Sequence, residues 1–134
     1  MVAVMAEKLR VLFVDDDPAA ARLYKSYLAA EGHDVMVAES GIEAVEATER
    51  GQFDVVVMDL NMPGLDGWMS MSLIKARRPK LPVVVLTGEV GKDLESRAKT
   101  AGAAGFLTKP CQPDALIRAL RNAQPAVEQG ATAN

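Results

Sequence analysis

Five short apolar runs, each followed by a longer segment of helical character, constrain this chain more than any other feature of its sequence. The runs fall at residues 10–14, 35–38, 54–58, 83–86 and 105–107. Three of them contain the uninterrupted stretches VLFV, VVVM and VVVL, the pattern of strands covered on both faces. Val35 and Val37 instead alternate with Asp34 and Met36, as on an edge strand. Fivefold alternation of strand and helix predicts an α/β fold in which a parallel sheet lies between layers of helices. In such sheets chemistry gathers at the carboxyl ends of the central strands.

The intervening segments carry helix signals. Asp17 then Pro18 reads as a cap followed by proline at the first helical position, and Gly32 as a stop. Between them Ala20, Leu23, Tyr27 and Ala30 have helical spacing. Ser40 with Glu43 has the form of a capping box, and Ile42 and Val45 supply a buried stripe. Asp66 caps a third helix running to about Arg78, a fourth covers 92–101 before Gly102, and a fifth starts near Pro113. The fifth buries Leu116, Ala119, Leu120 and Ala123, although Gln112 is a weak cap. In the third, Trp68, Met69, Met71, Leu73 and Ile74 spread over more than one face, which reads as methionine used as adaptable core filler. His33, beside a turn glycine and without histidine partners, reads as a surface residue; Cys111 reads as a small, buried or half-buried one.

With 134 residues there is room for one domain. A net charge of −3 suggests no polyanion partner, and a single cysteine excludes an intrachain disulfide and fits a reducing compartment. The apolar opening at residues 1–6 is cut short by Glu7, Lys8 and Arg10, too early for a signal peptide or membrane span. The expectation is a cytoplasmic protein with an extension at 1–8, one domain at 9–123 and a disordered tail at 124–134 too short to form an effector.

The polar residues at the strand exits decide the chemistry. Asp15 and Asp16 follow the first run, Asp59 closes the third, Thr87 closes the fourth and Lys109 lies just past the fifth. Carboxylates brought together repel one another unless positive charge intervenes. Lys109 supplies one charge; a hard divalent cation with oxygen ligands supplies the rest. Asp59 is then a candidate nucleophile toward a phosphoryl donor, with cation, lysine and hydroxyl around the transferred group.

In that order the motifs VLFVDDDP, DVVVMDLNMPGLDG, VVVLTG and GFLTKP resemble the receiver domain of two-component response regulators, over about Leu9 to Ala123. The resemblance implies a doubly wound, five-stranded parallel sheet with five helices and the flavodoxin-like strand order 2-1-3-4-5. It makes Asp59 the phosphoacceptor and a ligand of Mg2+, with Mn2+ as a substitute. Asp16 becomes a direct ligand, Asp15 one acting largely through water, and the Asn61 backbone carbonyl a further ligand. Thr87 and Lys109 become phosphoryl contacts and Phe106 an aromatic switch. Pro110 follows a cis peptide bond, and Asn61 and Glu89 tune phosphoryl lifetime. The implied role is signal transduction rather than enzymatic turnover. The donor is a histidine kinase or histidine phosphotransfer protein. The output face is made by the fourth helix, fifth strand and fifth helix, where Lys92, Arg97, Lys99 and Arg118 offer charge. Neither nucleic acid nor membrane is expected as a partner; a monomer or a phosphorylation-dependent homodimer is.

Two alternatives stand beside this reading. The first is a haloacid-dehalogenase-like phosphatase with Asp15 as nucleophile, Asp17 as acid/base and Asp59 a bystander. It requires a second acidic pair after the lysine, where only Asp114 and Glu128 follow, and Pro18 departs from its pattern. The second is a receiver domain belonging to a hybrid histidine kinase.

Overall fold

Valine-rich runs resist helix formation and pack well on a pleated surface, and each of the five apolar runs is a strand. The computed structural model describes residues 7–125. Its elements are β1 (Arg10–Val14), α1 (Pro18–Ala30), β2 (Asp34–Ala38), α2 (Gly41–Arg50), β3 (Val55–Met58), α3 (Gly67–Arg77), β4 (Val83–Thr87), α4 (Leu94–Thr100), β5 (Gly105–Thr108) and α5 (Pro113–Asn122). All neighbouring strands are parallel, in the order β2-β1-β3-β4-β5. Most of the tail expected beyond residue 123 lies outside the described residues.

Alternation along the strands divides the core in two. Leu12, Val14, Val56, Met58, Val83 and Val85 face α2, α3 and α4, meeting Val45, Met71, Ile74, Leu94 and Ala98. Val11, Phe13, Val55, Val57, Val84 and Leu86 face α1 and α5, meeting Tyr24, Leu28, Leu116 and Leu120. The three central strands are therefore buried on both faces, whereas β2 alternates between exposed and partly buried positions up to Ala38. Truncating a side chain as deeply buried as Leu28 to alanine costs about 2–5 kcal/mol.

Capping follows the sequence signals with small shifts. The Asp17, Ser40 and Asp66 side chains accept from the backbone N–H groups of Ala19, Glu43 and Met69. The Glu43 carboxylate reaches back one residue past the usual capping-box target, to the N–H of Glu39 at 2.8 Å. Gln112 makes no side-chain cap, as expected of it. Helix α4 begins at Leu94 rather than at residue 92, because Asp93 takes a left-handed conformation (φ 65°) that the preceding turn imposes and Asp tolerates.

Three expectations about burial need correction. The buried stripe of α1 is Ala21, Tyr24 and Leu28, one position from the expected Ala20, Leu23, Tyr27 and Ala30; the Tyr24 ring stacks on Phe13 and sets the rotation. Ile42 is exposed, because Ala44, Ala47 and Thr48 join Val45 on the inner face of α2 and allow close approach to the sheet. His33 is buried rather than on the surface, 5 % exposed, with its Nδ1 accepting from the N–H of Leu9 at 2.9 Å. In α3, Met71 and Ile74 fill the core while Met69 and Leu73 stay exposed, so only part of that helix's apolar surplus is core filler.

Candidate functional site

Parallel pairing continues for one residue past β1 and β3, and this fixes the two central aspartates. The N–H of Asp15 donates to the Ala38 carbonyl and that of Asp59 to the Val14 carbonyl, both at 3.1 Å. Behind Asp59, the start of α3 packs so closely that a Cβ on Gly67 would stand 2.0 Å from the Asp59 carbonyl oxygen. Only glycine allows that contact, which holds the loop 59–66 over the sheet edge.

The structure brings Asp15, Asp16 and Asp59 together, each offering an oxygen within 4.8 Å of the others. Asp15 is almost wholly buried and fully engaged. Its Oδ1 accepts from the N–H of Asp17 at 2.9 Å and its Oδ2 from Lys109 Nζ at 2.6 Å. Asp59 is buried too; its Oδ1 accepts from the N–H of Asn61 at 3.3 Å and its Oδ2 from Lys109 Nζ at 3.4 Å. Asp16 is exposed, at the open side of the cluster. Three hard oxygen donors in this arrangement suit a divalent cation of the magnesium type.

Burial pushes the Asp59 carboxyl above its ordinary value. Lys109 and the Asn61 N–H pull the other way, and Asp15 adds to the rise. Burial alone would lower the Lys109 ammonium, but its bond to Asp15 and the charges of Asp59 and Asp15 outweigh that and raise it. Lys109 therefore holds its proton more firmly than a free lysine, and ionising the buried Asp59 carboxyl calls for positive charge beside it.

Thr87 ends β4 fully buried, its Oγ1 accepting from the N–H of Glu89 at 3.1 Å and its carbonyl from the N–H of Lys109 at 2.8 Å. A Cβ on Gly88 would meet nothing within 4 Å, so the space beside Thr87 is open. Lys109–Pro110 is a cis peptide, as expected. Phe106 pairs with Val85 in the β4–β5 ladder and lines an open groove of about 950 Å3 with Val90, Leu94 and Thr108. Asn61 and Glu89 are exposed at the ends of the two loops flanking Asp59 and Thr87.

Two contacts near the site were not read from sequence, and Tyr24 was not singled out there. Arg97 stacks over the Trp68 ring at 4.7 Å, tying α4 to the first turn of α3. The Tyr24 hydroxyl accepts from the Cys111 N–H at 3.3 Å. No local pattern joins residues so far apart in the chain; an aromatic at a helical core position and an arginine on a short helix are the only signals.

A five-stranded parallel sheet of this order, with an acidic cluster, a buried threonine and a lysine at its carboxyl edge, defines a receiver domain. The chain belongs to that family: the model for the response regulator receiver domain matches residues 11–121. It is 37 % identical to the transcriptional regulatory protein GlrR of Escherichia coli over 123 residues, 92 % of this chain but 27 % of GlrR. Against the transcriptional regulatory protein TcrA of Mycobacterium tuberculosis it is 34 % identical, over 84 % of this chain and 45 % of TcrA. The chain thus spans between about a quarter and a half of the length of these curated relatives. Among solved structures, the chemotaxis protein CheY4 of Vibrio cholerae superposes with a TM-score of 0.81 at 28 % identity, covering 87 % of this chain and 99 % of that one. The receiver domain of the sensor histidine kinase PA1611 of Pseudomonas aeruginosa, which holds a magnesium ion in its active-site cleft, gives 0.77 at 28 % identity, covering 87 % and 98 %.

The phosphatase alternative has no support. Asp59 stands in the acidic cluster rather than apart from it, and the Asp17 carboxylate is turned away to cap α1. Among the described residues, no helix is long and apolar enough to cross a membrane.

Proposed function

We propose that Asp59 is the phosphoacceptor of a two-component signalling pathway. The observation that carries this is the meeting of Asp59, Asp15, Asp16 and Lys109 at one sheet edge, with open space beside Thr87. The donor is a phosphohistidine of a kinase or phosphotransfer protein. One carboxylate oxygen of Asp59 forms the new P–O bond as the donor's P–N bond breaks, and the imidazole leaves with the electron pair. Asp15, Asp16, Asp59 and the Asn61 carbonyl would hold Mg2+, which would neutralise phosphoryl charge when bound. Lys109 Nζ lies against the oxygens of Asp59 and Asp15, within reach of the phosphoryl oxygens. The Thr87 hydroxyl contacts a further oxygen, and Asn61 and Glu89, exposed on either side, set how readily water reaches the phosphorus.

Output follows from the added charge. A phosphoryl group brings about −1.5 to −2 charges and three acceptor oxygens, which draw the Thr87 hydroxyl from the Glu89 N–H. Phe106 then turns inward from its groove and reshapes the face of α4, β5 and α5, where a partner protein binds. A coupling of about 1–3 kcal/mol is sufficient for such a switch. On this reading the chain, as a domain over 9–123, works in the cytoplasm and turns over no substrate but its own phosphoryl group. It acts as a monomer or as a homodimer formed on phosphorylation.

The test is phosphoryl incorporation from acetyl phosphate with magnesium and with excess chelator, together with amide NMR maps with and without beryllofluoride. Magnesium-dependent gain of one phosphoryl group, with shifts reaching Phe106 and α4, is expected. Incorporation indifferent to magnesium, or shifts confined to the loop 59–66, would contradict the acceptor or the switch respectively.

A further inference from the structure

We propose that Tyr24 is a positioning residue for Lys109, acting through the backbone N–H of Cys111; the proposal rests on the phosphoacceptor reading above. The Lys109 side chain hydrogen-bonds both Asp15 and Asp59, and it sits where β5 gives way to α5. Its placement depends on how the segment 109–112 is held. Pro110 has no N–H to offer. Among the hydrogen bonds of the described residues, two backbone donors hold this segment: the N–H of Lys109 to the Thr87 carbonyl at 2.8 Å, and the N–H of Cys111 to the Tyr24 hydroxyl at 3.3 Å. The first ties Lys109 to β4 and the second ties the chain just beyond it to α1. The lysine backbone is pinned from both sides.

Tyr24 is built to be a fixed anchor. It is 3 % exposed, with its ring stacked on Phe13 (centroids 5.9 Å apart, planes at 21°) and edge-on to Tyr27 at 5.5 Å. Phe13 lies two residues before Asp15 on β1. The phenol therefore references the loop carrying Lys109 to the strand carrying Asp15, the partner Lys109 holds at 2.6 Å. Packing alone would be served equally well by phenylalanine at this position. The hydroxyl is the part whose role lies outside the core, and a small side chain at Cys111, itself half-buried against the same core, leaves the ring room to reach the backbone.

Removing the hydroxyl while keeping the ring isolates this role. In Tyr24→Phe the Cys111 N–H loses its partner, and Lys109 approaches the phosphoryl oxygens from a less fixed base. Small displacements of positioned groups are costly in rate, and the loss of one hydrogen bond corresponds to about a three- to tenfold decrease in phosphorylation rate. Tyr27→Phe, which deletes the neighbouring hydroxyl, serves as the control.

The experiment measures the rate of phosphoryl gain from acetyl phosphate at saturating magnesium in wild type, Tyr24→Phe, Tyr27→Phe and Lys109→Gln, with Tyr24→Phe also placed in the Lys109→Gln background. The 15N–1H signal of the Lys109 ammonium is recorded in the unphosphorylated proteins. Of the two tyrosine variants, the proposal expects slowing and a shifted ammonium signal in Tyr24→Phe only, and no further slowing when Lys109 is already Gln. Wild-type rates in Tyr24→Phe, equal losses in Tyr27→Phe, or an unmoved ammonium signal would overturn it. Equal slowing in the Lys109→Gln background would do the same. If wild type itself gains no phosphoryl group, the underlying reading fails; if it does and Tyr24→Phe matches it, only the Tyr24 assignment fails.

Discussion

Lys109 Nζ sits 2.6 Å from Asp15 Oδ2 but 3.4 Å from Asp59 Oδ2, so the half-buried lysine is paired first with Asp15. With its other oxygen accepting from the Asp17 N–H, buried Asp15 has less capacity left for direct contact with a cation than exposed Asp16. Magnesium affinity should therefore fall more in Asp16→Ala than in Asp15→Ala. A carboxylate acting through water is worth about tenfold in affinity, and a direct ligand more. Calorimetric titration checks the order, and equal or reversed losses would contradict it.

Asp59 gives a prediction about stability. Its carboxyl is raised above 3.8, chiefly by burial, so the folded state holds the proton more tightly than the unfolded chain. Stability therefore falls as pH rises from 3.8 through the folded value, and at neutral pH the buried charge is a standing cost. In chelator at pH above 7, Asp59→Asn should melt a few degrees higher than wild type, and the gap should close on acidification and on adding magnesium to the wild type. A lower melting temperature for the variant would contradict the assignment.

His33 has the opposite sign. Burial, then the nearby Arg121, lower its value below 6.5 against a small upward pull from Glu31. Because Nδ1 accepts from Leu9, the neutral ring carries its proton on Nε2, and Arg121 at 3.3 Å from that atom disfavours a second. The unfolded chain binds that proton first, so stability is lost as pH falls below 6.5 and the loss levels off below the folded value. Denaturant midpoints measured against pH should show this slope in wild type and not in His33→Asn.

Arg97 over Trp68 predicts a spectroscopic report of activation. Trp68 follows Gly67, which packs on the Asp59 carbonyl, so the indole lies between the loop 59–66 and α4. Emission should change when beryllofluoride and magnesium bind. Arg97→Ala should shift the resting emission and diminish that response, at about 0.5–1 kcal/mol of stability. An unchanged response would show that α4 is not linked to the loop through this pair.

The sheet and its reactive edge were legible because both rest on local signals. Continuous valine runs mark strands covered on both faces, and Asp15, Asp16, Asp59, Thr87 and Lys109 stand where those runs stop. What the sequence hid depends on residues meeting across the fold. Ala20, Leu23 and Tyr27 fit helical spacing as well as Ala21, Tyr24 and Leu28 do, and only stacking of Tyr24 on Phe13 decides between them. His33 reads as a turn residue until Leu9 and Arg121 close over it from both ends of the chain. The αL conformation of Asp93 and the exposure of Ile42 likewise follow from how neighbouring segments pack, which spacing alone does not record.

The most direct test of the central claim is where the phosphoryl group sits. After reaction with acetyl phosphate and magnesium, borohydride reduction converts an aspartyl phosphate to homoserine, and peptide mass mapping locates it. Homoserine at position 59 alone, and no incorporation in Asp59→Asn, is expected. Homoserine at position 15 or 16 with Asp59 unmodified, or undiminished incorporation in Asp59→Asn, would contradict it.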